Sequence, residues 1–170
     1  NLVVVDPVRT TLAKEATLHL SVRPGTDGAL ALGLIHQVLR RRAPTAEQRQ
    51  KLHGLEELAR LASQYPLERV EQLTSVPQAA MERVVGMLLD ARPIGIWQGL
   101  GVEHHVSGVQ TVRAITSLEV LCGRFEGGDS RTLVSPNGPD FHQEMLPALY
   151  RMRTPQPAPP PISERPIGSE

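Results

Sequence analysis

Leu2-Val3-Val4-Val5 is an unbroken aliphatic run that stops at Asp6-Pro7. A run without alternation is the pattern of a strand covered on both faces in a parallel sheet. Proline ends it, having no N–H to give to the ladder. Thr10 to Glu15 can form a short helix, and Thr17 to Val22 alternates polar and apolar residues like a second strand. Strand, helix and strand in so short a stretch make a tight βαβ unit. Ligands of such sheets bind beyond the carboxyl ends of the strands, where Asp6, Arg9 and Thr10 fall. An aspartate there can accept two hydrogen bonds from a ribose diol or a guanine edge, and Arg9 can meet a phosphate with two parallel bonds. The alternative is local: Asp6 caps the turn at Pro7 and Arg9 is solvated.

Size and charge narrow the class. A chain of 170 residues, 40% of them hydrophobic, suits the core of one domain. Eighteen basic and eighteen acidic residues cancel, so no global field draws in nucleic acid or an anionic membrane. The one basic run, Arg40-Arg41-Arg42, suits a helix C-terminus. The single cysteine, Cys122, excludes an internal disulfide and reads as a small apolar residue on a buried helix face. No apolar run approaches the roughly 20 residues of a bilayer span, and no signal peptide opens the chain. A start at Asn1 directly into a strand, without an initiator methionine, reads as a piece of a longer polypeptide.

Pro24-Gly25-Thr26-Asp27-Gly28 is the next break. A helix follows, with Thr26 or Asp27 as its N-cap and Leu30, Leu34, Ile35, Val38 and Leu39 as its apolar stripe. Thr45 to Gln48 is a capping-box pattern opening a helix through Leu52, Leu55, Leu58 and Leu61. Pro66 to Leu73 reads as a short amphipathic helix. Ser75 to Gln78 is a second capping-box pattern, before a helix through Met81, Val84, Val85, Leu88 and Leu89. These helices, residues 43–92, are expected to form an insertion between two halves of the sheet.

Ile94 to Trp97 then returns to the sheet as a strand. It is followed by the turn Gln98-Gly99-Leu100-Gly101 and by a helix whose face is Val109, Val112, Leu118 and Leu121, with Arg113 near the turn. A glycine turn before a helix lets backbone N–H groups approach an anionic or hydrogen-bonding ligand. His104 and His105 are adjacent, so they do not share a helix face, and no third ligand stands at zinc-site spacing. Hydrogen bonding to a ligand suits them better than a metal. Residues 140–153 can form one more helix, and Thr154 to Pro161 is a proline-rich linker. The expected domain is 1–153, with 154–170 leading onward.

The segment VVVDPVRTTLAKEATLHLSVRPGTDGALALGLIHQVL, the segment GLGVEHHVSGVQTVRAITSLEVLCG and the closing ERPIGSE resemble, in this order, three motifs of the molybdopterin-dependent oxidoreductases, the dimethyl sulfoxide reductase superfamily. The VQTVRAI helix is most similar to the branch of formate dehydrogenases, thiosulfate reductases and acetylene hydratase. The resemblance implies an α/β fold, a three-layer Rossmann-like parallel sheet with a helical insertion. It also implies a role as the central segment of a molybdenum or tungsten enzyme that carries two pterin guanine dinucleotides for two-electron redox chemistry. By the same resemblance Asp6, Arg9 and Thr10 hold one guanosine dinucleotide arm. Gly25, Thr26 and Asp27 fall on the motif that binds the guanine edge. Gly99, Leu100, Gly101 and His104 fall where the family contacts the pterin or its pyrophosphate.

The chain departs from the family pattern at Val8, where arginine is common, at Ser107, at His104, where glutamine is frequent, and over Cys122 to Glu126. No catalytic residue, metal ligand or iron–sulfur cysteine of the family has a counterpart here, so the segment alone is expected to be inactive. Its partners are the remainder of the oxidoreductase and an iron–sulfur electron-transfer subunit, with no nucleic acid or membrane contact. The compartment, cytoplasmic or periplasmic, is open. Two other classes fit some residues: a cofactor-free relic of the family, as in a respiratory complex subunit, and an independent guanine nucleotide-binding module. No phosphate loop with lysine is present to hydrolyse a triphosphate.

Overall fold

The computed structural model describes residues 1–90 and 94–122. They fall in the first of the chain's two units, Asn1–Ser130, the second being Arg131–Glu170. The helix expected over 140–153, the linker over 154–161 and the ERPIGSE stretch lie outside the described residues.

The opening βαβ unit forms as its pattern dictates. Strand β1 (Val3–Val5) and strand β2 (Leu18–Leu20) pair in parallel, with Val3 opposite Leu18 and Val5 opposite Leu20. Helix α1 (Thr11–Glu15) crosses between them, and Thr10 caps it by accepting the Ala13 N–H at 3.2 Å. The fold is thus mixed α/β with a small parallel sheet, two strands wide among the described residues. The strand expected over Ile94–Trp97 is not present. These residues join no ladder; Ile94 and Ile96 pack on the core, and the Ile96 N–H donates to the Glu119 carboxylate at 3.0 Å rather than to a neighbouring strand.

Helix α2 (Asp27–Arg41) is the post around which the rest packs. Leu30, Leu34, Ile35 and Val38 are buried along it, as its 3.6-residue stripe requires, with Ile35 wholly enclosed. Burying one such side chain contributes about 1.5–3 kcal/mol. Arg40 and Arg41 occupy its last turn, where cations favour the carbonyl end.

The segment after α2 is helical but more broken than its leucine spacing suggested. Helix α3 (Ala46–Lys51) opens on the expected capping box, Thr45 and Gln48 each accepting the other's backbone N–H at 3.0–3.1 Å. It ends at Leu52, and helix α4 (Leu55–Ala62) starts only after Gly54, whose φ of 78° lies in the left-handed region. One left-handed residue reverses the chain, so Leu52 and Leu55 to Leu61 belong to two helices. Helix α5 (Leu67–Thr74) follows Pro66, and helix α6 (Gln78–Asp90) follows Pro77.

The second expected capping box does not form. Ser75 ends α5 instead, with φ 64° and its N–H closing on Glu71, while the Gln78 side chain donates to the Glu71 carboxylate at 2.7 Å. Helix α7 (Gly108–Leu121) lies against α2. Its buried face includes Leu118 and Leu121 as expected, but continues through Ala114 and Thr111 rather than through half-buried Val112 and Val109, which is 74% exposed. Cys122 is buried just beyond its end.

At Gly33, α2 and α5 are in close contact. A Cβ built there would lie 2.6 Å from Val70 Cγ2 and 3.3 Å from its Cγ1, so turning the valine offers no relief. Gly86, inside α6, has nothing within 4 Å of the same position. Gly33→Ala is therefore expected to destabilise the fold by about 1–2 kcal/mol, overpacking exceeding the helix-propensity gain. Gly86→Ala should stabilise it by about 0.5–1 kcal/mol. Denaturant titration of the pair checks this, and equal shifts would contradict the packing.

Candidate functional site

Helices α2 and α7 run in the same direction. Near their starts, a Cβ on Gly28 would meet Thr111 Oγ1 at 3.0 Å; near their ends, Arg42 donates to the Leu121 carbonyl at 3.3 Å. Their N-termini therefore open at the same end of the molecule, each presenting N–H groups without helical acceptors and a partial positive charge.

The sheet points to that end as well, because β2 leads through Ser21 to Arg23 into the turn before α2. The loop after β1 is sewn to β2 and its exit. Asp6 N–H donates to Leu20 O at 3.1 Å, Ser21 Oγ donates to Pro7 O at 3.2 Å, and His19 Nε2 lies 2.8 Å from Asp6 O. In the turn itself, Gly25 has φ 79° and Thr26 Oγ1 donates to Arg23 O at 2.7 Å.

The loop before α7 closes on this turn. His105 lies across Gly25, its Nδ1 only 3.1 Å from where a Cβ would stand. Leu100–Val102 form a single tight turn, and Gly108 N–H donates to His105 O at 2.8 Å. Gly108 packs so closely on the Glu103 carbonyl that no side chain fits. Behind the loop, the buried carboxylate of Glu119 holds the Ile96 N–H at 3.0 Å. Two residues on, Gln98 Oε1 is buried and makes no hydrogen bond among the described residues. A buried amide oxygen without a donor costs about 1–3 kcal/mol.

The expected site residues divide into those held by the fold and those left with unused bonding capacity. Asp6 Oδ1 accepts the Val8 N–H at 2.7 Å, so one of its oxygens does close the local turn. Thr10 is committed as a helix cap, and Arg9 is exposed with no partner among the described residues. Thr26 and Asp27 begin α2, yet neither side chain caps it: Thr26 turns back to Arg23, and the half-buried Asp27 carboxylate accepts no hydrogen bond among the described residues. Gly99 and Gly101 have nothing within 4 Å of a built Cβ, and Leu100 and His104 are exposed. The structure brings Gly25 to Asp27 together with the 98–105 loop. No hydrogen bond or ion pair among the described residues joins Asp6, Arg9 or Thr10 to Gly99–His104.

Arg23 and Glu119 were not expected in the site, and Gln98, within the glycine turn, and His105, read as hydrogen bonding to a ligand, were not expected in these contacts. Glu119 had a signal, a carboxylate between the apolar residues Leu118 and Val120; the others depend on contacts across the fold. No group of three His, Cys, Asp or Glu among the described residues is placed to hold a metal ion. An open cleft of about 540 Å³ lies elsewhere, where Leu39 and Pro44 face Arg49, Leu52 and His53, and none of the expected site residues lines it.

No family model matches the chain. Formate dehydrogenase H of Escherichia coli (strain K12) is 29% identical over 123 residues, 72% of this chain and 17% of that protein. The probable oxidoreductase YoaE of Bacillus subtilis (strain 168) is 31% identical over 125 residues, 73% of this chain and 18% of its own length. Among solved structures, acetylene hydratase from Pelobacter acetylenicus superposes with a TM-score of 0.69 at 28% identity, over 74% of this chain and 18% of that one. The chain thus spans less than a fifth of these relatives.

Gly25→Ala tests the junction of the two loops. The new methyl group meets His105 at 3.1 Å on a backbone with φ 79°, so the variant is expected to lose about 1–3 kcal/mol of stability. It should also move the His105 ring resonances; unchanged His105 signals would mean that the loops do not touch in solution.

Proposed function

We propose that this chain, which belongs to the molybdopterin-dependent oxidoreductase family over 72–79% of its length, is a cofactor-holding segment of a molybdenum or tungsten oxidoreductase that carries two pterin guanine dinucleotides. Convergence carries this reading: two parallel helix N-termini and the exits of two parallel strands meet at one end of the fold, and the loop that leads into α7 carries Gln98, whose buried Oε1 has no partner among the described residues. Donor-rich backbone and a partial positive charge suit the phosphates of a dinucleotide. Gln98 Oε1 and the uncommitted Asp27 carboxylate suit the N–H donors of a guanine or pterin edge. Gly99 and Gly101, with nothing near their Cβ positions, leave room for a flat ring system against the backbone.

The division of labour follows the chemistry of each group. Asp27, on the first turn of α2, accepts from the guanine edge. Asp6 gives its second oxygen to the same arm, Arg9 meets a phosphate, and Thr10, Gly25 and Thr26 fix the turns that aim them. Gly99, Leu100, Gly101 and His104 flank the pterin or its pyrophosphate, with His104 donating or accepting by tautomer. When bound, the metal dithiolene supplies two-electron redox chemistry of the formate dehydrogenase type. This chain binds and orients the cofactor, while the metal ligand, any iron–sulfur cluster and its electron-transfer subunit come from elsewhere.

An open site and a two-stranded sheet fit a segment completed by its neighbours in a larger polypeptide. The remaining strands would extend β1 and β2 into the three-layer Rossmann-like sheet, with the helices of residues 43–92 as an insertion in a domain of residues 1–153.

In the full-length enzyme, Asp27→Ala is expected to lower bound molybdenum or tungsten and acid-released guanine nucleotide at least about tenfold, the equivalent of about 1.4 kcal/mol. Elemental analysis and chromatography read both quantities. Full metal and nucleotide in that variant would refute the assignment of Asp27, and a metal-free wild-type enzyme would mark the segment as a structural relic.

A further inference from the structure

Arg23, immediately before the Pro24 to Asp27 turn, is tied at two points to the end of α5. Its backbone N–H donates to Thr74 O at 2.9 Å, and its guanidinium donates to Ser75 Oγ at 3.0 Å. Ser75 has φ 64°, the one positive φ at a non-glycine residue among the described residues. That conformation is disfavoured for an L side chain and persists only where the surroundings impose it. Here they do. Buried Thr74 donates to Val70 O at 2.7 Å and accepts the Val76 N–H at 3.1 Å, and Ser75 N–H closes on Glu71 O at 2.8 Å. The Ser75 backbone is thereby held in place beside Arg23.

The guanidinium has capacity left over. It carries five N–H donors, one of which is used, on a neutral hydroxyl. No carboxylate pairs with it among the described residues, whose ion pairs are Arg41–Glu82 and Lys51–Glu47. Arg23 is thus an exposed cation, bonded by its guanidinium to Ser75 and without an anion among the described residues, at the base of the turn that leads into α2. Its planar fork matches phosphate oxygens with two parallel bonds.

We propose that Arg23 is a phosphate-binding residue of the same site, and that Ser75 is the residue that positions it. The inference rests on the reading of this site as one for a nucleotide-bearing cofactor, and it assigns the phosphates, rather than the guanine edge, to Arg23. A purely structural role is the competing account: a cation near the carbonyl end of α5 stabilises that helix.

The test uses the full-length enzyme with Arg23→Ala, Arg23→Lys, Ser75→Ala and Ser75→Asn, beside Asp27→Ala. Guanine nucleotide retained after dialysis at increasing salt is measured, together with the melting temperature of each cofactor-free protein. Arg23→Ala is expected to retain at least about tenfold less nucleotide, the worth of one charge-assisted bond pair, with an unchanged cofactor-free melting temperature. Arg23→Lys should fall between. Ser75→Asn, which tolerates the left-handed region and keeps an acceptor, should retain nucleotide far better than Ser75→Ala. Full retention in Arg23→Ala with depletion in Asp27→Ala would overturn the role of Arg23 and leave the site standing. Full retention in both would remove the site itself. Depletion of Arg23→Ala that tracks a lowered cofactor-free melting temperature would make Arg23 a helix cap, which also overturns the proposal.

Discussion

The side-by-side, same-direction packing of α2 and α7 is the constraint on which this structure depends. Two helices of this length, about 22 Å each, are pinned at one end by the close approach of Gly28 to Thr111 and at the other by Arg42 on the Leu121 carbonyl. Sliding one helix by a turn would bring a side chain to the Gly28 contact and release Arg42. With the register fixed, both N-termini face the same space, and the loops that precede them must meet there.

Around that pair the polar groups are treated in two ways. Behind the site they are satisfied: Glu119 takes the Ile96 N–H, Thr74 serves both Val70 and Val76, and Thr10 and Thr45 cap their helices. At the site they are left over. Among the described residues, Gln98 Oε1 is buried without a donor, the half-buried Asp27 carboxylate accepts no bond at a helix start, and the charge on Arg23 has no counter-charge. Interiors rarely leave an amide oxygen such as that of Gln98 so. The concentration of these groups at one end is the physical content of the functional reading.

Legibility in the sequence followed the range of the determining interaction. The Thr45–Gln48 box, the α2 stripe and the parallel pair β1–β2 were readable because each rests on residues a few positions apart or on an unbroken aliphatic run. Ser75 misled because the same Ser-x-x-Gln pattern can close one helix or open the next; the Thr74 bonds and Arg23 decide for closing. Gly54 split a leucine pattern that looked continuous. Ile94–Trp97 had the composition of a strand, but Glu119 takes the Ile96 N–H.

The amino-acid sequence by itself determined where the chain stops a strand or turns before a helix: the Asp6-Pro7 strand end, the Pro24 to Asp27 turn and the glycine loop before α7. Each is written in local backbone requirements, a proline stop or a glycine. Tertiary structure alone decided that His105 lies against Gly25, that Glu119 rather than a strand holds Ile96, that Gln98 Oε1 is buried without a donor among the described residues, and that Arg23 bonds to Ser75. The physical reason is distance along the chain. The contact of Gly25 with His105 crosses 80 positions, and no propensity or period spans such a gap; only the packed α2–α7 pair brings those residues together.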